Sequence, residues 1–320
     1  MTPSPTPPPT PPRPHRRAVR QLLLGWVPLL VVCLVLLVVL WLRLADARAP
    51  LAAASATATA TVTAVGPDGR ELTVEFPTGS GGRRTGTIEL DRALDVPVGA
   101  QLPVGYDPAA PDGGQVHTDG DALSAAVSDV LFGLTAVVLV LVVSAALTAA
   151  RLLGWPRLRR RPVTRLTATH VVVRRGLLVR SWLELDSSAG LRWLPVHWAP
   201  ELDRLAPGTR LVVHGDPARD RLVLPVVDGA EVWPSGRVRD REPRGQLRQS
   251  AVDPDAAEVG LARQARADGV FVVVAPVLGV LWAYVDSSGL AGALVATALA
   301  AGVLFWVPQL LGSDPRATGS

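Results

Sequence analysis

Four long apolar runs constrain this chain more than anything else in it. Residues 22–42 form 21 consecutive positions without a charge. As a helix rising 1.5 Å per residue, that run is long enough to cross a hydrocarbon layer of about 30 Å. Residues 131–150, 270–285 and 290–311 are comparable. The third has 16 residues, short for a span, and only Asp286-Ser287-Ser288-Gly289 parts it from the fourth. The two therefore read as a helical hairpin. Trp26 and Trp41 lie near the ends of the first run, where amphipathic rings prefer the interface. Pro28, Pro276 and Pro308 fall inside runs, which membrane helices tolerate better than soluble ones. Ala45-Asp46-Ala47 resembles a signal-peptide cleavage site, but a signal core is only about 7–15 residues, so the first run is expected to stay as an anchor. Expected membrane helices are residues 21–43, 130–150, 270–285 and 290–311.

Arginine placement orients these helices. Arg13, Arg16, Arg17 and Arg20 precede the first run, six arginines from Arg151 to Arg165 follow the second, and Arg263 and Arg266 precede the third. On the opposite side only Arg43 and Arg48 follow the first run, and no basic residue lies between Arg92 and the second or between the third and fourth. Basic residues accumulate on the cytoplasmic side. The expectation is a multi-pass plasma-membrane protein with cytoplasmic N- and C-termini. The formal net charge of +4 needs no nucleic-acid partner, because the arginines cluster where topology already explains them.

All 32 basic residues are Arg, and Asn is absent, the bias of a GC-rich genome. Without Lys the chain cannot be a P-loop NTPase, a Schiff-base enzyme or a Ser-Lys hydrolase. Cys33 is the single cysteine, which rules out an intrachain disulfide and any Cys-based metal site.

Between the apolar runs the periodicity changes to two. Residues 51–121 contain Ser/Thr alternating with Ala/Val, a Gly66-Pro67-Asp68-Gly69 turn, then alternating Leu72, Val74 and Phe76, then Ile88 and Leu90. Residues 163–237 read as a hairpin across Arg174-Arg175-Gly176 with further strands after it. The frame G-x-x-L-x-V-x-x-D-P-A occurs in both, pairing Gly99 with Gly208, Leu102 with Leu211, Val104 with Val213, Asp107 with Asp216 and Pro108 with Pro217. A turn glycine, a core-facing pair and an Asp-Pro turn explain it as scaffold. The first segment, residues 49–121, carries 4 Arg against 10 acidic residues; residues 151–268 carry 21 Arg against 14.

The fold class expected is membrane α + β: four transmembrane helices with two small β-barrel-like modules, residues 51–121 outside and residues 163–237 in the cytoplasm. A Pro-rich basic tail covers residues 1–20 and is expected to be disordered. A linker with a short helix, starting at Asp253-Pro254, covers 238–267, and residues 312–320 form a cytoplasmic tail.

Val104-Gly105-Tyr106-Asp107-Pro108, with the strand–G-P-D-G–strand opening before it, resembles a bacterial membrane-protein family of unknown function. In that family an extracytoplasmic β domain between two helices ends in V-x-Y-D-P. The likeness covers about residues 20–155 and departs in the second module, where Gly215 stands at the Tyr106 position. It implies a membrane-anchored β domain and no catalytic residue.

Candidate binding residues are Tyr106 and Asp107, in the repeat, and Asp129, an ionisable residue at the outer end of the second run. Asp119, Asp121 and Asp286 are expected on the same side, as a wet helix end rather than a cation vestibule. His170, His197 and His214 show no metal-binding spacing, and Trp182, Trp193, Trp198 and Trp233 are expected to pack the second module or meet the membrane edge. The expected role is non-enzymatic, in envelope interaction or sensing. A transport or channel accessory, with Asp129 and the proline-containing helices lining a path, is the alternative. The lipid bilayer and other envelope proteins are the expected partners, with no cofactor and no nucleic acid.

Overall fold

The computed structural model describes residues 16–79, 81–110 and 115–318. Residues 1–15 of the expected tail lie outside them. The chain divides into two compact units, one formed by Cys33–Val140, the other by Met1–Val32 with Leu141–Ser320. Among the described residues, four helical stretches are long and apolar enough to cross a membrane. They are α1 (Arg16–Ala53), α2 (Ala122–Leu158), the stretch Leu261–Asp286, and α6 (Gly289–Leu310). The third comprises α4 (Leu261–Gly269), a 3₁₀ turn (Val270–Val274) and α5 (Ala275–Asp286). Helix therefore begins nine residues before the apolar run, which removes the apparent shortness of this segment. These helices leave large apolar side chains exposed, among them Val35, Trp41, Val280 and Leu290. Such surfaces suit lipid rather than water.

In the unit Cys33–Val140, four strands form an antiparallel sheet in the order β3-β2-β1-β4. They are β1 (Ala56–Val65), β2 (Glu71–Pro77), β3 (Arg83–Glu89) and β4 (Gln101–Tyr106). The alternation read from sequence is the alternation buried. Leu72, Val74, Phe76, Ile88, Val104 and Tyr106 point into one core with Ala60 and Val62. The chain then returns along both sheet edges, His117 bridging Gly105 of β4 and Gln115 bridging Thr87 of β3. Asp121, which precedes α2, accepts the Ser124 N–H at 2.7 Å through Oδ1 and faces His117 Nδ1 at 3.0 Å through Oδ2. It caps a helix whose first N–H groups otherwise lack partners.

In the other unit a seven-stranded antiparallel sheet runs β10-β9-β8-β5-β6-β7, with β11 added beside β5. The strands are β5 (Val163–Arg175), β6 (Leu178–Ser187), β7 (Gly190–Val196), β8 (Thr209–His214), β9 (Leu224–Val227), β10 (Ala230–Glu231) and β11 (Gln246–Gln249); a short α3 (Pro200–Asp203) follows β7. Leu183, Leu185, Leu194, Val196, Leu211 and Val213 share one core. Past β10 the chain pairs with β7, Pro234 opposite Val196 and Arg239 opposite Trp193.

The two sheets share a strand order. β3-β2-β1-β4 and β7-β6-β5-β8 are the same meander with the fourth strand returned to the first, and each first strand follows a long apolar helix. The repeated frame occupies the same place in both, as β4 against β1 and β8 against β5. Gly99 and Gly208 precede these strands with φ of 94° and 69°, a region open to Gly at no steric cost.

Two expectations fail locally. Asp253-Pro254 does not start a helix. Asp253 Oδ1 accepts the Asp255 N–H at 3.1 Å and its own N–H donates to Asp203, so the side chain closes a turn and α4 begins only at Leu261. The segment 1–20 is not all tail, since α1 starts at Arg16 and Arg17 is buried.

Small residues let the helices of the second unit approach closely. At Gly279 of α5 a Cβ would meet Thr297 Oγ1 at 1.9 Å, and at Gly302 of α6 it would meet a Leu29 methyl of α1 at 2.8 Å. These contacts fix the helix ends from which the polar groups below project.

Candidate functional site

The sequence candidates fall in the first unit, where Tyr106 and Asp107 make scaffold contacts. Tyr106 is buried on Phe76, ring centroids 4.9 Å apart, with its Oη 3.4 Å from the Gly79 N–H. Asp107 Oδ1 accepts the Ala109 N–H at 2.8 Å, and its counterpart Asp216 accepts the Ala218 N–H at 2.9 Å. The same turn is closed twice by the same side chain. Alanine at either Asp should cost about 1 kcal/mol, the net value of one hydrogen bond, while Asn, whose amide oxygen accepts equally, should cost little. Thermal unfolding of the four variants checks this; Asn as damaging as Ala would put the effect on charge instead. Asp129 lies exposed on α2. Tyr106 and Asp107 thus sit together at the end of β4, and the structure gives both a scaffold contact.

The denser chemistry lies in the second unit, around two tryptophans. Trp198, after β7, is 1% exposed. Arg17 of α1 stands 4.4 Å from its ring centroid and Arg316 of the C-terminal segment 5.7 Å. The Trp198 indole N–H donates to Asp203 Oδ2 at 3.0 Å. Arg316 bridges Asp203 Oδ1 at 2.7 Å and Asp314 Oδ2 at 2.9 Å, and Ser181 of β6 donates to Asp314 at 2.9 Å. Gln21 of α1 and Gln264 of α4 both donate to Ser313, and Gln264 also donates to Asp268. The seven-stranded module is thereby fastened to α1, α4 and the residues after α6 by hydrogen-bonded, mostly buried side chains. Burial, together with the nearby Arg316 charge, holds the His170 imidazole down at about 4; burial lifts the Asp203 carboxyl to about 6 against the pull of Arg316.

Trp182 of β6 carries a second pair, Arg180 at 5.3 Å and Arg239 at 5.1 Å from its ring centroid. These side chains line a cleft of about 560 Å³, with Leu311 at the end of α6 on its wall. Arg175, Arg241 and Arg244 stand around it, with Asp240 and Glu242. Ser235 holds the inner end, its hydroxyl accepting from Arg180 at 3.1 Å and its carbonyl from Arg151. Burial, then the like charges of Arg239 and Arg151, press the Arg180 guanidinium down to about 10. Among the described residues no carboxylate forms an ion pair with Arg180 or Arg239. Arg180 Nε and the Trp182 indole N–H are buried without a hydrogen-bond partner. Such groups are normally paired, because leaving one unpaired costs about 1–3 kcal/mol.

The tryptophans of this module are expected from sequence to pack it or meet the membrane edge, and Arg180 and Arg239 are not among the expected candidates. Arg180 and Trp182 are two apart on β6, on one face of the strand. That spacing was visible; Arg239 reaches the same ring from 57 positions later, and nothing local announces it. No protein-family model, curated protein or solved structure matches the chain.

Proposed function

We propose that this chain is a multi-pass plasma-membrane protein with both termini in the cytoplasm, and that it serves envelope interaction or sensing rather than catalysis. The module formed by residues 51–121 would face outward and that formed by residues 163–237 inward. Both read as small barrels, since in each the chain beyond the meander returns to pair with an outer strand. The likeness of Val104-Gly105-Tyr106-Asp107-Pro108 to the V-x-Y-D-P family agrees with that placement. The observation that carries the reading is the buried junction of Arg17, Gln21, Gln264, Ser313, Asp314 and Arg316 with the inner module. It makes the inner module move with the helices, which a sensing or docking protein requires. α1 runs without a break from that junction to Ala53, three residues before β1.

Reporter enzymes fused after Gly114 and after Gly229 should report opposite compartments; the same compartment for both ends the proposal. Crosslinking from the outer module in native membranes should then capture envelope proteins reproducibly, and capture of lipid alone would count against an interaction role.

A further inference from the structure

We propose that the cleft built on Arg180, Trp182 and Arg239 binds the phosphate group of an anionic membrane lipid. Arg180 and Arg239 converge here, with Arg151 tied to Arg180 through Ser235, and among the described residues no carboxylate forms an ion pair with any of the three. Arg180 and Arg239 share the Trp182 ring, and Arg180 and Arg151 share Ser235. The Trp198 stack in the same module shows what the chain does when such a cluster is purely structural. There Arg316 is neutralised by two buried carboxylates, Asp203 and Asp314. At Trp182 the equivalent place is a cavity. Like charges held this close repel, and an oxyanion entering between them relieves the repulsion while accepting forked hydrogen bonds. Guanidinium is the side chain best matched to phosphate in that geometry.

The position of the cleft selects the source of the phosphate. Leu311, directly after α6, lines it, and Arg151 lies just past the apolar run of α2. On the proposed reading, in which α2 and α6 cross the bilayer, both mark the depth of the cytoplasmic headgroups. Basic pockets at that level hold anionic headgroups. Asp240 and Glu242, exposed residues of the lining, disfavour an extended acidic peptide more than a small headgroup.

The test uses the full chain in phosphatidylcholine nanodiscs, with and without phosphatidic acid, and in a third arm with phosphatidylcholine plus soluble glycerol 3-phosphate. Bound lipid is counted by native mass spectrometry and affinity followed by thermal shift. Wild type should retain phosphatidic acid. Arg239→Gln should weaken retention about tenfold, the equivalent of one charge-assisted hydrogen bond. Arg239 is exposed and its strand pairing with Trp193 is made by the backbone, so this variant should fold even if Arg180→Gln does not. Arg219→Gln, at an exposed ion pair with Asp216 away from the cleft, should bind as wild type. Retention unchanged in Arg239→Gln, or equally reduced in Arg219→Gln, overturns the proposal. Glycerol 3-phosphate binding as tightly as phosphatidic acid keeps the phosphate site and overturns the lipid source. The soluble arm does not depend on membrane placement, so a wrong topology and an absent site give different results.

Discussion

Replacing Arg316 with Ala is expected to destabilise the seven-stranded module by about 2–4 kcal/mol, somewhat less than removing one partner from a fully buried ion pair because Arg316 is itself 32% exposed. Arg316 pairs with both Asp203, 4% exposed, and Asp314, 1% exposed, and it covers one side of Trp198. After truncation both carboxylates stay buried. Lys at this position should recover part of the loss, since the charge returns but the fork spanning two carboxylates does not. Arg219→Ala, which removes an exposed pair, should stay within about 1 kcal/mol of wild type. Tryptophan fluorescence during denaturant unfolding in detergent measures all three. If Arg316→Ala unfolds with wild type, the C-terminal segment does not fasten the module.

The same module contains two arginine–tryptophan stacks in different electrostatic states, and that contrast separates scaffold from site. Around Trp198, charges cancel inside the protein and every partner ties one element to another. Around Trp182, charges of one sign are held in place by a hydroxyl, a carbonyl and an aromatic ring, with a cavity beside them. Holding like charges close together without an ion-pair partner costs stability. A chain that maintains the arrangement gains from something other than its own packing.

The helices and the strand periodicity were legible because they depend on local pattern. An uncharged run of 21 residues or the alternation Leu72, Val74, Phe76 has few alternative structures. The repeated G-x-x-L-x-V-x-x-D-P-A frame was legible for the same reason, and the two Asx turns it encodes are the ones found. Helix ends were not. Arg17 reads as part of a basic flank and Gln21 carries no signal of its own, yet both are buried with Trp198 and Ser313 against them, contacts separated by 181 and 292 positions. Asp253-Pro254 has the composition of a helix start, but the backbone of Asp203 holds it as a turn. The arginine cleft depends on the same kind of distant meeting, Arg180 with Arg239 and both with the end of α6, and no window of sequence contains it.

The pH response of the junction should come apart when either member of its central pair is removed. His170 Nδ1 lies 3.7 Å from Asp203 Oδ1, with Arg316, Asp314, Asp253 and Trp198 acting on the same carboxylate. His170 titrates at about 4 in the folded chain against 6.5 when exposed. Between those values the unfolded chain binds the extra proton, so this group withdraws stability as pH falls through the window. Asp203 titrates at about 6 against 3.8, so over nearly the same range the folded chain binds the extra proton and acid favours folding. The opposing slopes leave wild type nearly flat between pH 6 and 4 as far as this pair is concerned. Asp203→Asn exposes the His170 slope, and the variant should lose on the order of 3 kcal/mol between pH 6.5 and 4. His170→Gln exposes the other, and the variant should gain stability relative to its own neutral-pH value as pH falls from 6 toward 4. Each variant is compared with itself across pH, which removes the fixed cost of the lost contact. Unfolding midpoints in denaturant at a series of pH values decide it, and slopes of the same sign in the two variants would show that the pair does not titrate as a buried, opposed couple.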